Sequence, residues 1–284
     1  MVMIGVVAWR PGLSTGRLVT EWRLRGLDAV LVDPPEAREL LHGGDVALVR
    51  LDILPTLDGC EPGLAACGAL ARRGVRLLNG PEGLLAAHDK LRTATDFTRA
   101  GIPHPATRHV TDPLALRELE PPLVLKPRFG SWGRDVMLCR TRAELEAASA
   151  SLPKREWFRT TGVLAQDVVP LVTRDLRVLV ADGRAAGASA RVAAQGEWRT
   201  NTSLGGRLEP VDAPDEALRL AVAAVAVLGI DLAGVDLLPD PDGGWIVLEV
   251  NGAADFDERY AFAGRDVYDD VAAALQLDGV GATS

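Results

Sequence analysis

Apolar and polar positions alternate along the first ~85 residues in two rhythms. Short apolar runs, "MIGVVAW", "DAVLV" and "DVALVR", predict strands. Between them "STGRLVTEWRLRG" and "EPGLAACGALARRG" repeat apolar residues at helical spacing and close on glycine, as a helix C-terminus does. Strand, helix and strand in succession predict a parallel sheet. After "LLNGPEGLL" the pattern changes. A helix is expected near 88–100, then strands at "LVLKP" and "DVMLCR", a helix from Thr141, and strands at "GVLAQDVV", "DLRVLVA" and "RAAGASAR". A long Ala/Val/Leu helix over 214–229, the pair "LAGVDLLP" and "GWIVLEVN", and a helix near 265–276 complete the chain. This is an α+β unit behind a small α/β module.

The pair near the C-terminus carries the first chemistry. "PDPDGG" between the two runs is a strong turn signal, so an antiparallel hairpin is expected. With Leu238 opposite Trp245, Asp236 lies opposite Val247, with Glu249 and Asn251 farther along the same face. Val235, Leu237, Ile246, Leu248 and Val250 then fill the other face. Two carboxylates and an amide oxygen are hard donors suited to Mg²⁺ or Mn²⁺. An edge hairpin with solvated acids fits the spacing equally well.

Composition narrows the field. The 284 residues carry a formal charge of −8 and no basic run, which argues against nucleic acid. The apolar N-terminal run lacks a basic leader and a cleavage site, "RPG" follows it, and no segment approaches ~20 apolar residues, so neither signal peptide nor membrane span is expected. Cys60, Cys67 and Cys139 have no metal spacing and read as reduced thiols of a cytoplasmic protein. Neither GxGxxG nor the Walker pattern occurs, which disfavours a nicotinamide dehydrogenase. Only Lys90, Lys126 and Lys154 among 31 basic residues are lysine. Lysine is a compact point charge that suits a phosphate. "KPRFGSWGRD" sets Lys126 before Gly130, Ser131 and Gly133, a loop whose N–H groups can turn toward an anion. "GEWRTNTSLGGR" groups Arg199, Asn201 and Arg207 in a polar loop.

"AHDKLRT", "LVLKPRFGSWGRDV", "AQDVV", "RDLRVLV", "WRTNTSLGGR", "AGVDLL" and "LEVNG", in this order and spacing, resemble the ATP-grasp ligases of the RimK type, from about Gly80 to about Phe256. The resemblance implies an ATP-grasp fold, two α/β subdomains gripping ATP (86–284, with a lid at about 118–165), preceded by a pre-ATP-grasp domain at 1–85. It implies that Lys90 and Lys126 hold the nucleotide, that Gly130, Ser131, Trp132, Gly133 and Arg134 form the loop over its phosphates, that Asp167 and Val168 read adenine, and that Asp175 faces the ribose. Asp236, Glu249 and Asn251 match the magnesium set, and Arg191, Arg199 and Asn201 the residues that stabilise an acyl phosphate and the substrate carboxylate. The implied reaction is ADP-forming ligation of an amino acid, glutamate in several members, to a carboxylate acceptor: a small molecule, peptide or protein. Dipeptide or natural-product ligation and a nucleotide-binding regulator without turnover are the alternatives, and a homo-oligomer is left open. The chain departs from the family at Asp167, where glutamate is usual, and at "NGAADF", which replaces N-x-[ST]-P.

Overall fold

The computed structural model describes residues 2–9, 13–170 and 173–277. The "RPG" segment and residues 278–284, assigned above to the ATP-grasp unit, lie outside the described residues.

The first sheet is parallel, in the order β2-β1-β3-β4: β1 (Ile4–Val7), β2 (Ala29–Val32), β3 (Val46–Val49) and β4 (Arg76–Leu78). Helices α1 (Leu13–Leu24), α2 (Pro34–Leu40) and α3 (Leu64–Arg72) make the crossovers. The apolar periodicity did not mark α2. It is set by its ends instead: Asp33 and Glu36 form a reciprocal capping box, and Pro34 occupies the first turn.

The helix expected near 88–100 is two helices, α4 (Pro81–His88) and α5 (Lys90–Ala100). Asp89 breaks them. It leaves helical geometry and its carboxylate caps the Leu91 and Arg92 N–H groups. A domain boundary at 85/86 therefore falls inside α4.

The lid sheet is antiparallel, β5-β8-β6-β7, built from β5 (Thr107–Val110), β6 (Leu123–Pro127), β7 (Met137–Cys139) and β8 (Val163–Asp167), with α6 (Arg142–Ser151) and α7 (Glu156–Thr161) in sequence between β7 and β8. It reaches back to Thr107, earlier than the expected start near 118, because the polar run "TRHV" forms its edge strand. The third sheet runs β11-β10-β9-β12-β13: β9 (Arg174–Ala181), β10 (Arg184–Val192), β11 (Arg207–Pro210), β12 (Leu232–Pro239) and β13 (Trp245–Asn251). Helix α8 (Asp215–Leu228) covers one face, and α9 (Val267–Ala274) packs against β10 and α1.

Hydrophobic packing divides the molecule differently from the sequence. Val7, Ala47 and Val49 of the parallel sheet share one core with Val178, Val235 and Ala221. The lid has its own core, around Leu123, Leu125, Val163 and Trp157, which also takes in Ile53 and Leu57 from the loop after β3. The first and third sheets are thus one packed body with the lid seated on it.

Candidate active site

The third sheet lays a row of charges across one face. Cross-strand register pairs Arg191 with Asp175, Arg177 with Asp236, and Asp236 with Glu249. Strand alternation sends Val235, Leu237 and Val178 to the core on the other face. Asp236 and Glu249 stand directly opposite each other, an unfavourable pairing by itself. Cations offset it. Arg177 grips Asp236 through Nε (2.6 Å) and Nη2 (2.8 Å), Arg191 Nη2 adds a bond of 2.7 Å, and Lys90 Nζ lies 2.8 Å from Glu249 Oε1. Asp236 is only 3% exposed. Burial opposes its charge, but Arg177 and Arg191 win and hold its carboxyl below the usual range.

The register differs from the expected one. Leu238 pairs with Ile246 and Pro239 with Trp245, and a bulge lies between the Asp236–Glu249 and Leu237–Val247 pairs. One extra residue on β13 changes which side chains face inward. Val247 joins the core, and Leu248 lines the cleft beside Leu238 rather than filling the opposite face. The bulge brings Glu249 opposite Asp236 instead of diagonal to it.

The lid supplies the other wall. Lys126, near the end of β6, is 7% exposed, and its Nζ donates to Gln166 Oε1 at 2.8 Å. Burial, reinforced by Lys90 and opposed by Glu249, pushes its pKa down to about 8. Lys90, at the start of α5, joins the walls by donating to Gly130 O (2.6 Å) as well as to Glu249. Ser131 Oγ is buried without a hydrogen-bond partner, the condition of a group built to meet a ligand such as a phosphate oxygen. Gly133 has φ +67°, and a Cβ there would meet Asn201 Oδ1 at 2.7 Å, so this position needs glycine.

Lys90, Lys126, Gly130, Ser131, Gly133, Arg134, Asp167, Val168, Asp175, Arg191, Arg199, Asn201, Asp236 and Glu249 all line one cleft between lid and third sheet. Two expected members do not. Trp132 is 49% exposed and faces neighbouring cavities, and Asn251 lines an adjoining cavity of about 300 Å³. The Asn251 amide oxygen accepts from Ala253 N at 3.0 Å. Asp175 lines the cleft but does not stand open to a ribose. Both its oxygens are taken, by Arg191 (2.9 and 2.5 Å) and by Thr200 Oγ1 (2.6 Å), so it orients an arginine. Arg199 ties its loop to the lid by donating to Gly133 O at 2.9 Å.

Sequence reading missed Gln166, Arg177 and Thr200. Arg177 was visible in principle, two residues after Asp175 in "RDLRVLV" and so on the same strand face. The Lys126–Gln166 bond depends on cross-strand packing that no local pattern records.

Among the described residues no group of three His, Cys, Asp or Glu could hold an ion alone. The donor set still fits a magnesium-type ion, which is commonly held by one or two carboxylates and completed by substrate phosphates. Glu249, with only Oε1 held by Lys90, and Asp236, whose two oxygens are held by Arg177 and Arg191, are the carboxylates that would face such an ion, and the Asn251 amide lies two residues beyond Glu249 on the same strand.

Residues 87–275 match the family model described as RimK-like ATP-grasp domain. A protein of Parasynechococcus marenigrum named probable alpha-L-glutamate ligase is 30% identical over 83% of this chain; the chain spans about half of that relative, 51%. A protein of the same name from Pseudomonas paraeruginosa is 28% identical over 97% of this chain and 96% of its own. The solved ATP-grasp ligase PsnB, complexed with a minimal precursor, superposes with a TM-score of 0.70 at 20% identity, covering 97% of this chain and 98% of that one. No helix among the described residues is long and apolar enough to cross a membrane.

Proposed function

The chain belongs to the RimK-like ATP-grasp family, and on that premise we propose that it joins an amino acid, with glutamate the first candidate, through its amine to the carboxylate of an acceptor: a small molecule, a peptide or a protein. It is an ADP-forming C–N ligase that uses ATP and a divalent metal. One observation carries the finer reading. The lysine-lined cleft and an arginine-bearing cavity share Arg191 and Asn201, which supports a reading in which a phosphate site and a carboxylate site meet at one wall.

In this reading adenine lies against Asp167 and Val168, and the phosphates run past Lys126, Lys90 and the 130–134 loop, where Ser131 Oγ donates to a phosphate oxygen. Asp236, Glu249 and Asn251 would hold Mg²⁺ or Mn²⁺, which neutralises phosphate charge during transfer. The second cavity is walled by Arg17, Arg177, Arg191 and Arg259 together with Asp52, Asp255 and Asp257; each arginine already meets a carboxylate of the protein, and a guanidinium fork has donors left to match a substrate carboxylate. A carboxylate oxygen attacks the γ-phosphorus, the bond to ADP breaks, and an acyl phosphate forms beside Arg191, Arg199 and Asn201. The amine then attacks the acyl carbon. The C–N bond forms, phosphate leaves, and the amine proton passes to solvent.

A nucleotide sensor without turnover has no need of a second anion cavity opening onto the phosphate site. PsnB, solved also with a precursor peptide, keeps peptides among the acceptors to screen. The three cysteines are free thiols, which supports a reducing, cytoplasmic setting. The test is hydroxylamine trapping. With ATP, Mg²⁺ and the right carboxylate, a hydroxamate and ADP should appear together. Release of AMP and pyrophosphate would replace this mechanism with an adenylation.

A further inference from the structure

A third cavity, of about 410 Å³, opens between the end of β1, the loop after β3, and Ala253 and Asp255. It shares Asp52, Trp132, Ala253 and Asp255 with the arginine-bearing cavity, so a ligand can reach from one into the other. Two exposed indoles line it: Trp9 at 38% and Trp132 at 49%. Trp132 has φ +63°, a conformation rare for a bulky residue, so the loop that carries it is bent at this point. Asp52, Glu61 and Asp255 are the carboxylates of the wall. Among the described lining residues the cation is Arg50, which is 4% exposed and turned to the Ala253 and Ala254 carbonyls (3.3 and 2.8 Å) and Thr15 Oγ1 (3.3 Å). Its guanidinium lies 4.0 Å from Asp255, so among the described residues it offsets part of the acidic charge and leaves an excess. Indole faces and carboxylates together select a cation with an apolar stem. The neighbouring arginines select the opposite charge.

We propose that this cavity binds an organic cation, an ammonium or guanidinium on an apolar stem, belonging to one of the two substrates, whose reacting end extends into the arginine-bearing cavity; this rests on the ligase reading, which places the reaction there.

Binding can be read without turnover. Incorporation of 5-fluorotryptophan labels all six tryptophans, and Trp9→Phe and Trp132→Phe assign two of the fluorine resonances. Benzylamine, cationic at neutral pH, should shift both with a Kd of about 1 mM, and benzoate, of the same shape and opposite charge, at least about tenfold more weakly. The Asp255→Asn variant should narrow that difference. Equal response to both probes, or none to either, overturns the proposal whatever the hydroxylamine assay gives. Once that assay has identified a carboxylate, Trp9→Ala separates the sources. A raised KM for the carboxylate in hydroxamate formation puts the cation on that substrate. Unchanged hydroxamate formation with a raised KM for the amine in coupling puts it on the other. No change in either KM overturns the proposal, whereas failure of all hydroxamate formation counts against the ligase reading alone.

Discussion

Lys126→Met should make the ligand-free protein no less stable while weakening ATP binding. The Lys126 pKa falls from 10.5 to about 8 because the side chain is buried and Lys90 is near. At ~1.4 kcal/mol per tenfold change, keeping the lysine charged in the fold costs about 3 kcal/mol. Its folded pKa lies below the unfolded one. The cost is therefore fully present below pH 8 and is relieved as pH rises toward 10.5. Methionine removes the charge but orphans Gln166 Oε1, the acceptor of the lysine bond, at roughly 1–3 kcal/mol. The expected net effect at pH 7 is about 0–2 kcal/mol of added stability, shrinking and then reversing toward pH 10.5. A hydrogen bond from a charged donor is worth about 1.5–3 kcal/mol, so ATP affinity should drop roughly 10- to 150-fold. Urea melts at pH 7 and pH 10 give the first quantity, and calorimetric titration with ATP the second. A loss of more than about 1 kcal/mol at pH 7, or unchanged ATP affinity, would refute the reasoning.

Glu249→Gln should retain the melting temperature and lose Mg²⁺-dependent ADP release; wild-type turnover in this variant would remove Glu249 from the metal set. Arg177→Met strips Asp236 of its two-bond partner and leaves a buried carboxylate under-compensated, so it should cost about 3 kcal/mol in denaturant unfolding. Gly133→Ala forces a side chain into a left-handed conformation against Asn201, so it should cost about 1–3 kcal/mol in a denaturant melt, and kcat/KM for ATP should fall by about tenfold or more in steady-state kinetics.

What the sequence disclosed was set by how local the cause is. The parallel sheet, α8 and the β12–β13 hairpin follow from periodicity and turn residues within one stretch. β11, "RLEP", holds two charged residues and a proline and so shows no apolar run, β4 is only "RLL", and β5 is polar because it edges the lid. At the site, the two lysines and the Asp236/Glu249 pair were legible from residue type and order. The β13 bulge was not, since an apolar run such as "WIVL" does not say which residue is extra. Nor was the fate of Asp175, which looks like an available acid along the chain and becomes an arginine's partner only when β10 lies beside β9.

The seating of Ile53 and Leu57 in the lid core bears on how often the cleft opens. Ile53 is 6% and Leu57 4% exposed, and Arg134 of the 130–134 loop donates to Pro55 O between them at 3.4 Å. Lifting the lid returns both side chains to water at about 1.5–3 kcal/mol each. The raised form is then about one molecule in a hundred or fewer. Were nucleotide exchange to draw on that minority, substitutions in the 53–57 loop would set the pace of the cycle.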